Sequence, residues 1–226
     1  MTLRSRVLAA LSTVYDPELD EPITSLRFVS SCVVTAAGDV EVRLRLPTPQ
    51  CAPNFAFLMA ADARRAVRAL PGVRGVRVVL EDHYTRAEIN GAVNRGAGLD
   101  TAFPGETAGD VDALRELFRR KALLARQARL CHALLASRTP DEVVALDVND
   151  LPASDEAARC LALRAALGLP HGSDDPALIA GDGSRLTAAD LRRWLRRAQL
   201  VSVSLETNGG ICRDLLRTRY PREVAA

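Results

Sequence analysis

The sequence predicts an α+β protein, with a small N-terminal domain ordered helix, strand, strand, helix, strand and a mainly helical C-terminal domain after it. Three observations carry this reading. Val40, Val42, Leu44 and Leu46 alternate with Glu41, Arg43 and Arg45, the period-two pattern of a half-buried strand. Phe55, Leu58, Met59, Ala63, Ala66, Val67 and Leu70 then recur every three or four positions, which marks one face of a helix. From Val111 through Leu114, Phe118, Ala122 and Ala125 the apolar period stays helical, and it does so again around Leu191, Trp194, Leu195 and Ala198.

In chain order, Leu3, Val7, Leu11 and Val14 predict an amphipathic helix that stops before Asp16-Pro17, because a residue preceding proline disfavours helix. Residues 15–22 form an acidic loop. Leu26, Phe28, Ser30, Cys32 and Val34 predict one face of a strand over 25–35, and Ala37-Gly38-Asp39 turns it into an antiparallel hairpin with the strand at 40–46. That second strand ends at Pro47-Thr48-Pro49-Gln50-Cys51, and a helix follows Pro53 until Pro71-Gly72 stops it. Val76, Val78 and Leu80 predict the third strand. Residues 86–110 are rich in glycine and poor in large apolar residues, which predicts a linker or a loop wrapped on the first domain. The expected limits are a first domain at 1–95, a linker at 96–110 and a helical domain at 111–226. Within the last, Thr139-Pro140 breaks the long helix, Gly168 closes a helix over 155–167, and Asn208-Gly209-Gly210 predicts a turn before a final helix over 211–220.

Composition excludes several function classes. Net charge is +2, with 12 basic against 11 acidic residues before Gly105 and 18 against 17 from there on, so neither half is built for a polyanion such as nucleic acid. Lys121 is the single lysine, and the arginines reflect a general bias more than a phosphate-binding patch. No run approaches the ~20 apolar residues of a membrane span. Five cysteines at irregular spacing, Cys32, Cys51, Cys131, Cys160 and Cys212, fit reduced thiols in a cytoplasmic protein. Arg4 and Arg6 before the short apolar run 7–11 make too brief a signal sequence.

Cys51 is the leading candidate functional residue. It sits just before a helix N-terminus, where unpaired N–H groups and the macrodipole favour an anion, so the sequence predicts an acidified, reactive thiol. The plain alternative is a small buried hydrophobe at a turn. His83 is a candidate base for Cys51 in a thiol-dependent enzyme. Cys131, His132, Cys160, His171 and Cys212 lack the paired spacing of a structural zinc site, since no CxxC or HxxxH occurs. Cys160 reads as core, and Cys212 stays open as a metal ligand or redox thiol.

Asp16-Pro17-Glu18, residues 23–29, Thr48-Pro49-Gln50-Cys51 and Leu70-Pro71-Gly72-Val73 fall in an order and spacing that resembles the metal-sulfur cluster assembly family that includes SufT and PaaD. The resemblance covers about the first 95 residues, and His83-Tyr84-Thr85 echoes the segment after the family's last strand. Arg27 stands where the family usually has glycine, Pro47 where a second threonine is common, and Ala52 where proline often follows the cysteine. The resemblance implies a non-enzymatic accessory factor in iron-sulfur cluster assembly or metalloprotein maturation, with Cys51 as functional thiol and transient metal ligand. It implies Asp16 and Thr48 as supporting residues, and a client metalloprotein, such as an oxygenase component, or a cluster carrier protein as partner. No tightly bound cofactor is expected, only transient iron or an iron-sulfur cluster, and a homodimer is open. The alternatives are an adaptor module in which Cys51 is structural, and a thiol-dependent enzyme.

Overall fold

The computed structural model describes residues 1–105 and 111–221. The chain divides into two compact units, Met1–Val111 with Thr207–Ala226, and Asp112–Glu206.

In the first unit α1 (Leu3–Leu11) starts at Thr2, whose hydroxyl accepts from the Ser5 amide, a side-chain cap for an otherwise orphaned N–H. Strands β3 (Val29–Val34) and β4 (Asp39–Leu44) pair antiparallel as predicted, with Cys32 opposite Val42. Helix α2 (Pro53–Arg68) then crosses back, and β5 (Gly75–Leu80) joins β4 in parallel, giving the order β3-β4-β5. Helix α1 packs on β3, and α2 and α3 (Arg86–Arg95) pack on β5. Their apolar faces meet Val40, Val42, Leu44, Val78 and Leu80 in the core. The other sheet face is polar: Glu81 accepts from Arg43 at 3.1 Å and Arg45 at 2.8 Å.

The acidic loop is more ordered than expected, since β1 (Tyr15–Asp16) and β2 (Glu21–Pro22) form a short antiparallel ladder within it. The first hairpin strand begins at Val29 instead of 25, because Arg27 takes φ 60°, the left-handed region that favours glycine, and so interrupts the extended backbone. This is the position where the resembled family has its glycine.

Residues 96–105 of the segment expected as a linker or a wrapped loop are folded onto the first unit. Helix α3 ends at Gly96 in the left-handed conformation (φ 74°), and α4 (Leu99–Ala102) follows. Leu99, Ala102 and Phe103 are buried in the core. Residues 106–110 of that segment lie outside the described residues. Asn90 and Asn94, one helical turn apart on α3, each pair with both backbone groups of one residue of β5: Asn94 with Val78 at 2.9 and 2.7 Å, Asn90 with Leu80 at 2.7 and 3.1 Å. The two amides replace a neighbouring strand and close the sheet edge.

The second unit contains α5 (Val111–Leu135, from Asp112 on), α6 (Pro140–Ala145), a 3-10 turn (Val148–Asp150), α7 (Asp155–Ala166) and residues 188–206 of α8 (Ala188–Arg219). Thr139 and Glu142 form a capping box on α6. Arg164 is buried, and its guanidinium donates to Gln127 Oε1 at 2.7 Å and to the carbonyl of Pro176 at 2.8 Å. Cys160 is core, as read from the sequence.

The end of the chain departs from expectation twice. No turn interrupts 208–210: α8 runs through Asn208-Gly209-Gly210. Residues from Thr207 on belong with the first unit, so the expected helical domain 111–226 does not match the compact units. Gly209 lies at the contact with Glu21. A Cβ on it would lie 2.8 Å from Glu21 Oε1, so glycine here is the space that lets the Glu21 side chain close on the helix.

Candidate functional site

Three backbone turns build the site in the first unit, and none leaves the segment Asp16–Glu21, the connection between β4 and α2, or the connection between β5 and α3. Asp16 on β1 is only 5% exposed, and its Oδ1 accepts from the amides of Glu18 at 2.8 Å and Leu19 at 2.9 Å. Those bonds stabilise the carboxylate, but burial outweighs them and raises its pKa to about 6. One side chain thus caps the turn that follows it and stays buried as an acid.

Cys51 lies at the joint between β4 and α2. Its amide donates to the Thr48 carbonyl at 3.5 Å, so Thr48 takes part through its main chain. Two bonds from the segment after β5 fix the turn. Tyr84 N donates to the Pro49 carbonyl at 3.1 Å, and His83 Nε2 donates to the Cys51 carbonyl at 2.8 Å. Thr85 N donates to His83 Nδ1 at 3.2 Å, which makes Nδ1 the acceptor and places the ring proton on Nε2. His83 is 3% exposed, and burial lowers its pKa despite the bond to Cys51, so the ring is neutral. The ring of Tyr84 stacks on it with centroids 5.0 Å apart.

The Cys51 thiol is not acidified, contrary to the sequence expectation. It is half-buried against the core, and its pKa is raised to about 12, first by burial and then by the negative charges of Asp16, Cys212 and Glu18. The Ala52 amide at the start of α2 opposes this and loses. A helix terminus is worth roughly 0.3–1 kcal/mol at an exposed site, less than the penalty of ionising a thiol on an apolar surface among carboxylates.

Cys212 on α8 belongs to the same neighbourhood. Burial raises its pKa to about 11, followed by the charges of Asp16 and Glu18. Asn208 donates to Glu18 Oε1 at 3.4 Å, and Arg213 Nη1 lies 2.7 Å from both carboxylate oxygens of Glu21. Sequence reading placed Cys212 in the other domain and considered His83 as a base. What it missed was His83 as the clamp on the Cys51 main chain, for which the sequence His83-Tyr84-Thr85 was the available signal. In the second unit, Cys131 and Cys160 are buried in separate clusters, while His132 and His171 are exposed, so these four do not assemble. Among the described residues no three His, Cys, Asp or Glu side chains are arranged to hold a metal ion, and no helix is long and apolar enough to cross a membrane.

Comparison with known proteins bears on the first unit alone. The family described as iron-sulfur cluster assembly protein matches residues 4–79, which include Asp16, Thr48 and Cys51 and leave out His83 and Cys212. An uncharacterized protein of Methanocaldococcus jannaschii is 34% identical over 90 residues, 40% of this chain and 93% of that one. An Fe-S protein maturation auxiliary factor of Porphyromonas gingivalis is 35% identical over 74 residues, 33% of this chain and 69% of that one. An iron-sulfur cluster carrier protein of Mycobacterium leprae is 33% identical over 79 residues, 35% of this chain but 20% of its own length. No solved structure matches significantly. With the Asp16 loop, the Cys51 turn and the hairpin between them all inside the matched segment, the chain belongs to the iron-sulfur cluster assembly protein family.

Proposed function

We propose that this protein is a non-enzymatic accessory factor in iron-sulfur cluster assembly or metalloprotein maturation, which presents Cys51 to iron or a cluster in transit. The observation that carries the reading is the held Cys51 turn, clamped by His83 and Tyr84 inside a family-matched fold. The names of two relatives, an Fe-S protein maturation auxiliary factor and an iron-sulfur cluster carrier protein, support the same role.

The protonated thiol refines the mechanism. Thiolate forms when a soft metal replaces the proton, because only the thiolate ligates, so uptake releases a proton to solvent. A thiolate ligand formed in this way prefers soft or borderline ions and iron-sulfur clusters over hard cations. His83 donates from Nε2 to the Cys51 carbonyl and accepts the Thr85 amide at Nδ1, so both ring nitrogens are engaged away from the thiol, which argues against its serving as the base of a thiol-dependent enzyme.

The client is a metalloprotein or a cluster carrier in the cytoplasm, an oxygenase component being the case suggested by resemblance, and the second unit supplies its recognition. The test is anaerobic loading of the full chain with ferrous iron and sulfide, followed by transfer to an apo-ferredoxin. Transfer by the wild type and its loss in Cys51→Ser are expected. Equal transfer by Cys51→Ser would leave the adaptor reading, with Cys51 structural.

A further inference from the structure

We propose that Cys212, supplied by the C-terminal helix from outside the family segment, is the second thiol ligand of the Cys51 site, so that one chain offers iron or an iron-sulfur cluster two sulfurs. This rests on the proposed role of Cys51 and adds a residue that the family match over 4–79 does not contain.

The placement of α8 is the first support. Asn208, Gly209, Cys212, Arg213 and Leu216 fall on one helical face by their spacing. Four of the five are tied to the first unit: Asn208 to Glu18, Gly209 and Arg213 to Glu21, and Leu216 by burial in the core. Cys212 lies between these anchors and therefore faces the segment that begins at Asp16. That segment in turn packs on α2 through β1, and α2 opens just after Cys51.

Exposure is the second support. Cys32, Cys131 and Cys160 are buried, whereas Cys51 and Cys212 are half-buried and both pack on the same core cluster. The two thiols left open to a ligand are thus the two that the fold brings to one loop.

The chemistry balances without a redox step. Each thiol exchanges its S–H bond for a sulfur-metal bond and gives its proton to solvent, two protons per ion bound. Thiolate pairs select soft or borderline ions and iron-sulfur clusters over magnesium or calcium, and two protein sulfurs leave the remaining positions of a tetrahedral centre for sulfide or a partner's ligands.

Cobalt(II) is the probe, titrated anaerobically into the reduced full chain, with sulfur-to-cobalt charge-transfer absorption as readout. The wild type is expected to show the intensity of two thiolates. Cys51→Ser and Cys212→Ser should each lose about half of it and weaken binding by at least about tenfold, by comparison with the 10- to 100-fold that even outer-shell changes cost. The double variant should show none. Unchanged intensity and affinity in Cys212→Ser, with loss in Cys51→Ser, overturns the second ligand and leaves the proposed function standing. No loss in either overturns both. X-ray absorption of the wild-type cobalt complex needs no variant: two sulfur neighbours per cobalt are expected, and one overturns the proposal.

Discussion

Asp16 holds a carboxyl group 5% exposed with a pKa of about 6 against an ordinary 3.8. A raised carboxyl pKa means that folding favours the protonated form, so this contribution to stability is complete below pH 3.8 and is lost as pH rises through 6. Two pKa units correspond to about 3 kcal/mol at 1.36 kcal/mol each. Asp16→Asn keeps an Oδ1 acceptor for the Glu18 and Leu19 amides and removes the charge. It should therefore match the wild type near pH 4 and exceed it by about 2–3 kcal/mol at pH 8 in urea unfolding. Parallel stability curves for the two proteins would contradict the assignment. For Cys51, with its pKa pushed up to about 12, alkylation of the metal-free protein at pH 7.5 should be on the order of a hundredfold slower than in the urea-unfolded chain, and should climb with pH beyond 9. A rate equal to the unfolded value would restore the acidified thiol. The sequence showed the helix terminus beside Cys51 but not its burial or its acidic neighbours. Those come from β1 and α8, which no local pattern places there.

At the scale of elements, the Cys51 turn is positioned from outside itself. The strand-to-helix joint was legible because both periods flank it and Pro53 fixes the first helical position. Its clamp was not, because a His-to-carbonyl bond spanning 32 residues leaves no periodic trace. His83→Ala removes a buried partner of the Cys51 carbonyl and should cost about 1–3 kcal/mol, while raising the alkylation rate of Cys51 as the turn loosens. His83→Gln, which keeps a donor, should recover part of both. If Cys51 alkylation is the same in His83→Ala as in the wild type, His83 supports the fold without positioning the cysteine. The paired amides of Asn90 and Asn94 were likewise invisible, since asparagine in a glycine-rich stretch reads as turn chemistry until β5 lies beside it.

Across the whole molecule, the division of labour follows space more than chain order. Glycines at 209 and 210 signal a break by composition, yet the helix continues, and along it Gly209 admits Glu21 and Arg213 pairs with it. Leu216 fills the first unit's core and Tyr220 donates to Asp82 at 2.8 Å, while Arg45 stacks on the Tyr220 ring at 4.8 Å. Truncation after Glu206 should therefore destabilise the first unit by about 2–5 kcal/mol, the range for removing a large buried apolar side chain. Faster amide exchange in β4 measures it, and unchanged protection would show that the first unit's core is complete without the C-terminal helix. The helical class of 111–221 was legible from its period. That its last turns serve the first unit was not, because the residues that bind them, Glu18 and Glu21, lie in an acidic loop that sequence alone reads as solvated.

The central claim, that this chain acts in maturation through Cys51, is tested most directly in cells lacking it. Iron and acid-labile sulfide would be measured in iron-sulfur enzymes purified after complementation with wild type or Cys51→Ser at equal abundance. Full cluster content with the wild type and a deficit with Cys51→Ser equal to that of the deletion is the predicted result. Full cluster content with Cys51→Ser would contradict it.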